Sequence, residues 1–94
     1  MGKLAGQVVS VSESGDLLTD ISDEQLRGVP RDEAAVVACD GHETRGIFDD
    51  NHNEPDLTLI AMINQTGQMQ LTLVGESAQA FFGIQVGQEV TVRW

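Results

Sequence analysis

The sequence predicts an all-β domain with one or two short helices, built as a sandwich or a small barrel. Three observations carry this reading. Apolar and β-branched segments of about five or six residues recur between polar turns rich in Gly, Asn and Asp. Met69, Leu71 and Leu73 alternate with Gln68, Gln70 and Thr72, which is the period of a strand with one dry and one wet face. A chain of 94 residues has enough surface to bury for one core and too little for two, so these strands must share it. A barrel has the advantage of leaving no free edge.

Taken in order, residues 7–11 form a first β-branched segment, and Ser12-Glu13-Ser14-Gly15-Asp16 after it is a run of turn formers. Leu17, Leu18 and Ile21 resume the apolar pattern around Thr19 and Asp20. Ser22-Asp23-Glu24-Gln25 then has the form of a capping box, in which the Ser22 hydroxyl accepts from the Gln25 amide and the Gln25 side chain accepts from the Ser22 amide. A helical turn follows, ended by Gly28 and kept from continuing by Pro30. Residues 34–39 read as a strand covered on both faces, Asp40-Gly41 as a two-residue type I′ turn, and residues 42–48 as the hairpin partner. Residues 49–56 have no aliphatic side chain and read as a surface loop. Residues 57–63 and 68–74 flank Asn64-Gln65-Thr66-Gly67, a second hairpin with Gly67 in the left-handed position. Residues 76–83 read as a second short helix with a terminal glycine, and residues 89–94 as a last strand.

Charge and cysteine content exclude several functions. Fifteen carboxylates against five Lys and Arg give a net charge of −10, and such a chain gains nothing by releasing counterions from a phosphate backbone. Nucleic acid and anionic membranes are therefore poor partners. No apolar run approaches the roughly 18–20 residues of a membrane helix. The N-terminal residues read as neither a secretory signal nor a myristoylation site, since Gln7 and Ser10 interrupt the apolar stretch and Gly6 stands where Ser or Thr is wanted. Cys39 is the only cysteine, so neither an internal disulfide nor a thiolate zinc cluster is available, and the expected location is cytoplasmic. Cys39 closes the apolar run 34–38 with no Lys or Arg beside it, which makes it a packing residue rather than a reactive thiol. Phe48, Phe81, Phe82 and Trp94 are expected in the core.

Little chemistry is visible. No serine sits in a nucleophile elbow, and the ten glycines are scattered as turn formers rather than grouped before a helix. The loop 49–56 offers oxygen ligands at alternate positions, as calcium requires. An EF-hand starting at Asp49, however, needs Gly at its sixth position and Glu at its twelfth, where this chain has Glu54 and Ile60. His42 and His52, without a cysteine partner, make a weak zinc set. No metal is assigned. Asn64-Gln65-Thr66 has the form of a glycosylation sequon and reads as a turn.

Three stretches nonetheless form a recognisable series: Ser12-Glu13-Ser14-Gly15-Asp16-Leu17-Leu18-Thr19-Asp20-Ile21, then Asn64-Gln65-Thr66-Gly67-Gln68-Met69-Gln70-Leu71, then Ser77-Ala78-Gln79-Ala80 with Phe82-Gly83 and Val86-Gly87-Gln88-Glu89-Val90. In order and spacing they resemble the C-terminal domain of the S-adenosylmethionine hydroxide adenosyltransferase (SAM hydrolase) family, which also contains the fluorinase and chlorinase. The resemblance covers nearly the whole chain and implies a small closed Greek-key β-barrel. In that family the first motif reads Asp-x-Phe-Gly-Asn-Leu-x-Thr-Asn-Ile, and its Asp, Phe and Asn help hold S-adenosylmethionine. The matching positions here are Ser12, Ser14 and Asp16, so an anion and an aromatic wall are replaced. The matches that remain, Gly15, Leu17, Thr19, Ile21, Gly67, Gly83 and Gly87, are turn and core types. The family's N-terminal domain, which carries the water-activating chemistry, does not fit within 94 residues. The resemblance thus implies a non-catalytic, free-standing barrel acting as a protein-interaction or accessory module, with a protein partner or a homo-oligomer. Its alternative is a weak adenosine- or S-adenosylmethionine-binding domain, or the C-terminal half of a split SAM hydrolase, with Ser12, Asp16, Asn64 and Gln65 nearest the nucleoside.

Overall fold

In the computed structural model, which describes residues 2–48 and 54–94, the backbone hydrogen bonds of eight strands run through one continuous sheet. The strands are β1 (Lys3–Val11), β2 (Leu17–Ser22), β3 (Val36–Cys39), β4 (His42–Arg45), β5 (Ile47–Phe48), β6 (Leu59–Ile63), β7 (Gln68–Leu73) and β8 (Glu89–Arg93), with one helix, α1 (Ala78–Phe82). They pair in the order β4-β3-β8-β1-β2-β7-β6-β5. Because β4 and β5 are successive stretches of one chain path, the two edges of the sheet belong to the same segment, and the sheet nearly closes into a small all-β barrel. Counted once, that segment gives a ring with an odd number of staves. Directions cannot alternate all the way round such a ring, and among the described residues the one parallel pair is β5 with β6. The connections β2–β3 and β7–β8 each pass over two intervening strands, as in a Greek key.

Two bends turn the corners. β1 pairs with β8 through residues 3–7 and with β2 through residues 8–11, with a register shift between Val8 and Ser10. Gly6, paired with Val90 just before this bend, lies where any Cβ would overlap the Asp20 and Ile21 side chains. At the other corner Gly46, at φ +85°, separates β4, which pairs with β3, from β5, which pairs with β6. Its amide donates to the Ala35 carbonyl at 2.8 Å, and the Ile47 amide to that of Arg31 at 3.0 Å, so the chain stays hydrogen-bonded through the turn. The Thr44 hydroxyl donates to the Leu59 carbonyl at 2.7 Å, bridging β4 to β6 where no ladder runs.

The interior is aliphatic. Val8, Leu17, Met69, Leu71, Val90 and Val92 are fully or almost fully buried, each Leu or Met contributing about 1.5–3 kcal/mol. One end of the barrel, where β1, β3 and β7 finish, is plugged from α1 and the residues beyond it by Ala78, Ile84 and the half-buried Phe82. The opposite end is plugged by Leu26 and Val29. Among the described residues Thr19 is the one buried polar residue: its hydroxyl donates to the Met69 carbonyl at 2.6 Å and accepts from the Ile21 amide at 3.2 Å. It supplies these bonds where the β2–β7 register shifts between Leu18 and Ser22.

The local signals read from the sequence are formed. Ser22 and Gln25 make both bonds of the capping box, at 2.9 and 3.2 Å, and a helical turn ends at Gly28. Asp40 and Gly41 both have positive φ, as a type I′ turn demands. Asn64 Oδ1 accepts from the Thr66 and Gln68 amides at 2.9 and 3.1 Å, holding the turn that Gly67 completes. Ser77 caps α1 and Gly83 ends it in the left-handed region. Several details differ, among them β3, which begins at Val36 rather than at residue 34. Residues 42–48 are divided at Gly46 instead of forming one hairpin strand, β1 begins at Lys3, and β6 begins at Leu59. Phe81 is 62% exposed rather than in the core, because Ala78 and Phe82 lie on the face of α1 that seats against the barrel and Phe81 is turned about 100° away.

Gly46→Ala should cost about 1–3 kcal/mol, because Ala is strained at positive φ. Thr19→Val should cost about 1–3 kcal/mol, because the Met69 carbonyl and Ile21 amide lose a buried partner. Urea unfolding should show both as lower midpoints with an unchanged slope, and a midpoint as high as that of the wild type in either variant contradicts the role given to that residue.

Candidate functional site

The Ser12–Asp16 turn is held from within. The Ser12 amide donates to the Asp16 carbonyl at 3.0 Å, and the Asp16 amide donates to the Ser12 hydroxyl at 3.1 Å. The Ser12 side chain is thus spent on its own turn. The Gly15 carbonyl accepts from the Gln79 amide at 3.0 Å, and Gly15 lies so close to Ser77 that any Cβ would overlap that side chain. This contact places Asp16 beside the start of α1. There it lines an open groove of about 480 Å³ together with Ser14, Thr72, Gly75, Glu76 and Ser77.

Asn64 and Gln65 stand at the other end of the β2–β7 ribbon, in the turn that precedes β7. Asn64 is tied to Asp16 through Gln70 on the outer face of β7. Asn64 Nδ2 donates to Gln70 Oε1 at 3.2 Å, and Gln70 Nε2 donates to Thr72 Oγ1 at 3.0 Å and to Asp16 Oδ2 at 3.4 Å. Gln65 is exposed. Of the four residues expected near a nucleoside, Asp16 lines the groove, Asn64 joins it through one glutamine, Ser12 is a turn staple and Gln65 faces solvent. Gln70 is the member that sequence reading missed, and its only sequence signal is its place on the wet face of β7.

A second groove, of about 620 Å³, opens at the opposite end between Gly2, Lys3, Ala34, Val36, Arg93 and Trp94. The Arg93 guanidinium at its rim donates to Glu43 at 2.7 Å. Among the described residues no three His, Cys, Asp or Glu side chains are grouped to hold a metal ion, and residues 49–53 of the acidic loop lie outside the described residues. Among the described residues no helix is long and apolar enough to cross a membrane. Cys39 is buried at the end of β3, and burial, with the Asp40 carboxylate beside it, pushes its thiol up from the ordinary 9.0 to about 11.

These features define a class: a small, nearly closed all-β barrel with an open groove at each end. No known family and no curated protein matches the chain. Solved structures do match. An uncharacterized conserved protein from Thermotoga maritima superposes with a TM-score of 0.78 at 18% identity, covering 98% of this chain and 36% of that one. A conserved hypothetical protein from Thermus thermophilus superposes with a TM-score of 0.71 at 15% identity, covering 95% of this chain and 34% of that one. The chain thus spans about a third of the length of each, and identities this low establish the shared fold alone.

The raised thiol pKa sets a pH dependence. Below pH 9.0 the thiol is protonated folded or unfolded, and between 9.0 and about 11 only the unfolded chain releases the proton, so stability falls as pH rises through that window. The loss should approach about 2–3 kcal/mol and be absent from Cys39→Ala. Unfolding curves of both proteins at pH 8 and pH 10.5 check this, and parallel losses in the two would refute the assignment.

Proposed function

We propose that this barrel is a non-catalytic accessory module that works by binding another protein or a further copy of itself, in a cytoplasmic setting that suits its single buried thiol. The observation that carries the reading is how the candidate ligand groups are used. The Ser12 hydroxyl and Asn64 Oδ1 are committed to their own turns, and Asp16 and Asn64 are tied to Gln70, so these groups do not converge on one cavity. A nucleoside gripped by Ser12, Asp16 and Asn64 together would have to displace bonds that hold these turns. The length of the structural neighbours adds support, since in both of them this fold occurs within a longer polypeptide.

A second reading draws on the Asp16 groove, where a carboxylate and the Ser14 and Ser77 residues offer polar groups to an adenosine-type ligand. It would make the chain a weak adenosine- or S-adenosylmethionine-binding domain, or the C-terminal half of a split SAM hydrolase. Calorimetry separates the two readings. With adenosine and with S-adenosylmethionine at millimolar concentration, the accessory module gives no heat, and saturable heat abolished by Asp16→Asn favours the ligand-binding reading. Gel filtration and a pull-down test the first reading directly, and a monomer with no partner over a wide concentration range counts against it.

A further inference from the structure

Strand direction sorts the side chains of this barrel in a way that the linear sequence conceals. Lys3, Arg27, Arg31, Arg45 and Arg93 are all of the Lys and Arg residues in the chain, and every one lies toward the end opposite α1. Lys3, Arg45 and Arg93 are at strand termini there, and Arg27 and Arg31 are in the connection between β2 and β3. The α1 end carries Glu13, Asp16, Asp40, Asp56, Glu76 and Glu89 and no Lys or Arg among the described residues. A separate asymmetry coincides with this one. Among the described residues the exposed large hydrophobic ones, Val9, Val11, Leu57, Phe81 and Val86, all lie toward the α1 end, with Phe81 62% and Val86 60% accessible. Phe81 is braced edge-on against Phe82 at 5.1 Å, and the Phe82 ring in turn lies tilted against His42 at 4.3 Å, so the most exposed aromatic is held by a neighbour that is itself packed against the core.

We infer that the α1 end of the barrel is a docking face for a protein segment that carries Lys or Arg side chains around an apolar anchor. This rests on the interaction-module reading and deepens it by naming the face and the chemistry of the partner. The apolar side chains supply contact area, and the surrounding carboxylates steer and select. The groove beside α1, with the carboxylates of Asp16 and Glu76 in its lining, suits one ammonium or guanidinium group. Charge decides among possible occupants. Nucleic acid and anionic lipid are repelled. Two copies meeting through this face bring together two sets of carboxylates. A head-to-tail pair avoids that repulsion but offers little attraction, because Asp23, Glu24, Asp32 and Glu33 share the opposite end with the cations and nearly offset them, Arg31 being paired with Asp23 at 2.8 Å. The complement is a cationic surface on a different protein.

The test uses the full chain and synthetic peptides observed through backbone amide NMR shifts: an amphipathic Leu/Lys peptide, a Lys-only peptide, and a Leu/Glu peptide of the same pattern. The Leu/Lys peptide should shift residues 9–16 and 74–89, and its affinity should fall about tenfold between 50 and 300 mM NaCl. Phe81→Ser should weaken binding about tenfold, as loss of an aromatic anchor does, and so should the pair Asp16→Asn and Glu76→Gln, with Lys3→Gln leaving it unchanged. Unchanged melting of each variant shows that the fold is intact. Equal binding of the Lys-only or Leu/Glu peptide overturns the proposal, the first because the apolar anchor is then idle and the second because charge is. Shifts centred on Gly2, Val36 and Trp94 also overturn it while leaving the interaction-module reading in place. No binding by any peptide, together with a monomer that captures no partner, overturns both.

Discussion

Closure of the sheet through a single segment is the constraint on which the rest of the molecule depends. β4 and β5 serve as both edges, and the chain passes from one partner to the other at Gly46 without leaving its backbone groups unpaired. An L side chain at φ +85° would push this residue toward extended backbone and carry β5 away from β6. The sheet would then have two free edges, and its aliphatic interior would open along the line that Thr44 now bridges to Leu59. The bend of β1 at the opposite corner, between Val8 and Ser10, is the counterpart, and just before it Asp20 and Ile21 approach the bare Cα of Gly6.

What the sequence made legible is what is local. The Ser22–Gln25 capping box, the Asp40-Gly41 turn, the Asn64 turn and the alternation of β7 each depend on residues within a few positions of one another, and each is formed as read. The partner switch at Gly46 depends on a parallel pairing with Ala61 and Met62, and the early start of β1 depends on pairing with Val92 and Arg93. Neither dependence leaves a trace near the residue itself. Phe81 illustrates a related limit, since its hydrophobicity predicts burial while its angular position on a short helix decides exposure.

The same division applies to the site. Ser12 and Asp16 are recognisable as turn residues, and the structure uses both in that turn. Gln70 acquires its part only because the fold brings Asn64 and Asp16 within reach of one carboxamide. The positions at which this chain keeps the motifs it resembles are structural in function: Leu17 and Ile21 fill the core, Thr19 mends the β2–β7 ladder, and Gly15 lets a turn press against Ser77. The separation of cations from exposed apolar groups is invisible in a sequence where acids are spread throughout. It emerges only when the strands are given directions.

The pairing of Gly2 with Trp94 has an optical consequence. Their amides and carbonyls bond reciprocally at 2.7 and 3.0 Å, and the indole lies against the bare Cα of Gly2. Trp94 is the single tryptophan and the chain has no tyrosine, so ultraviolet emission arises essentially from this one place. Such light reports the fastening of β1 to β8 and nothing of the far side of the ring, which makes it a natural gauge of whether these two strands part before the interior loosens.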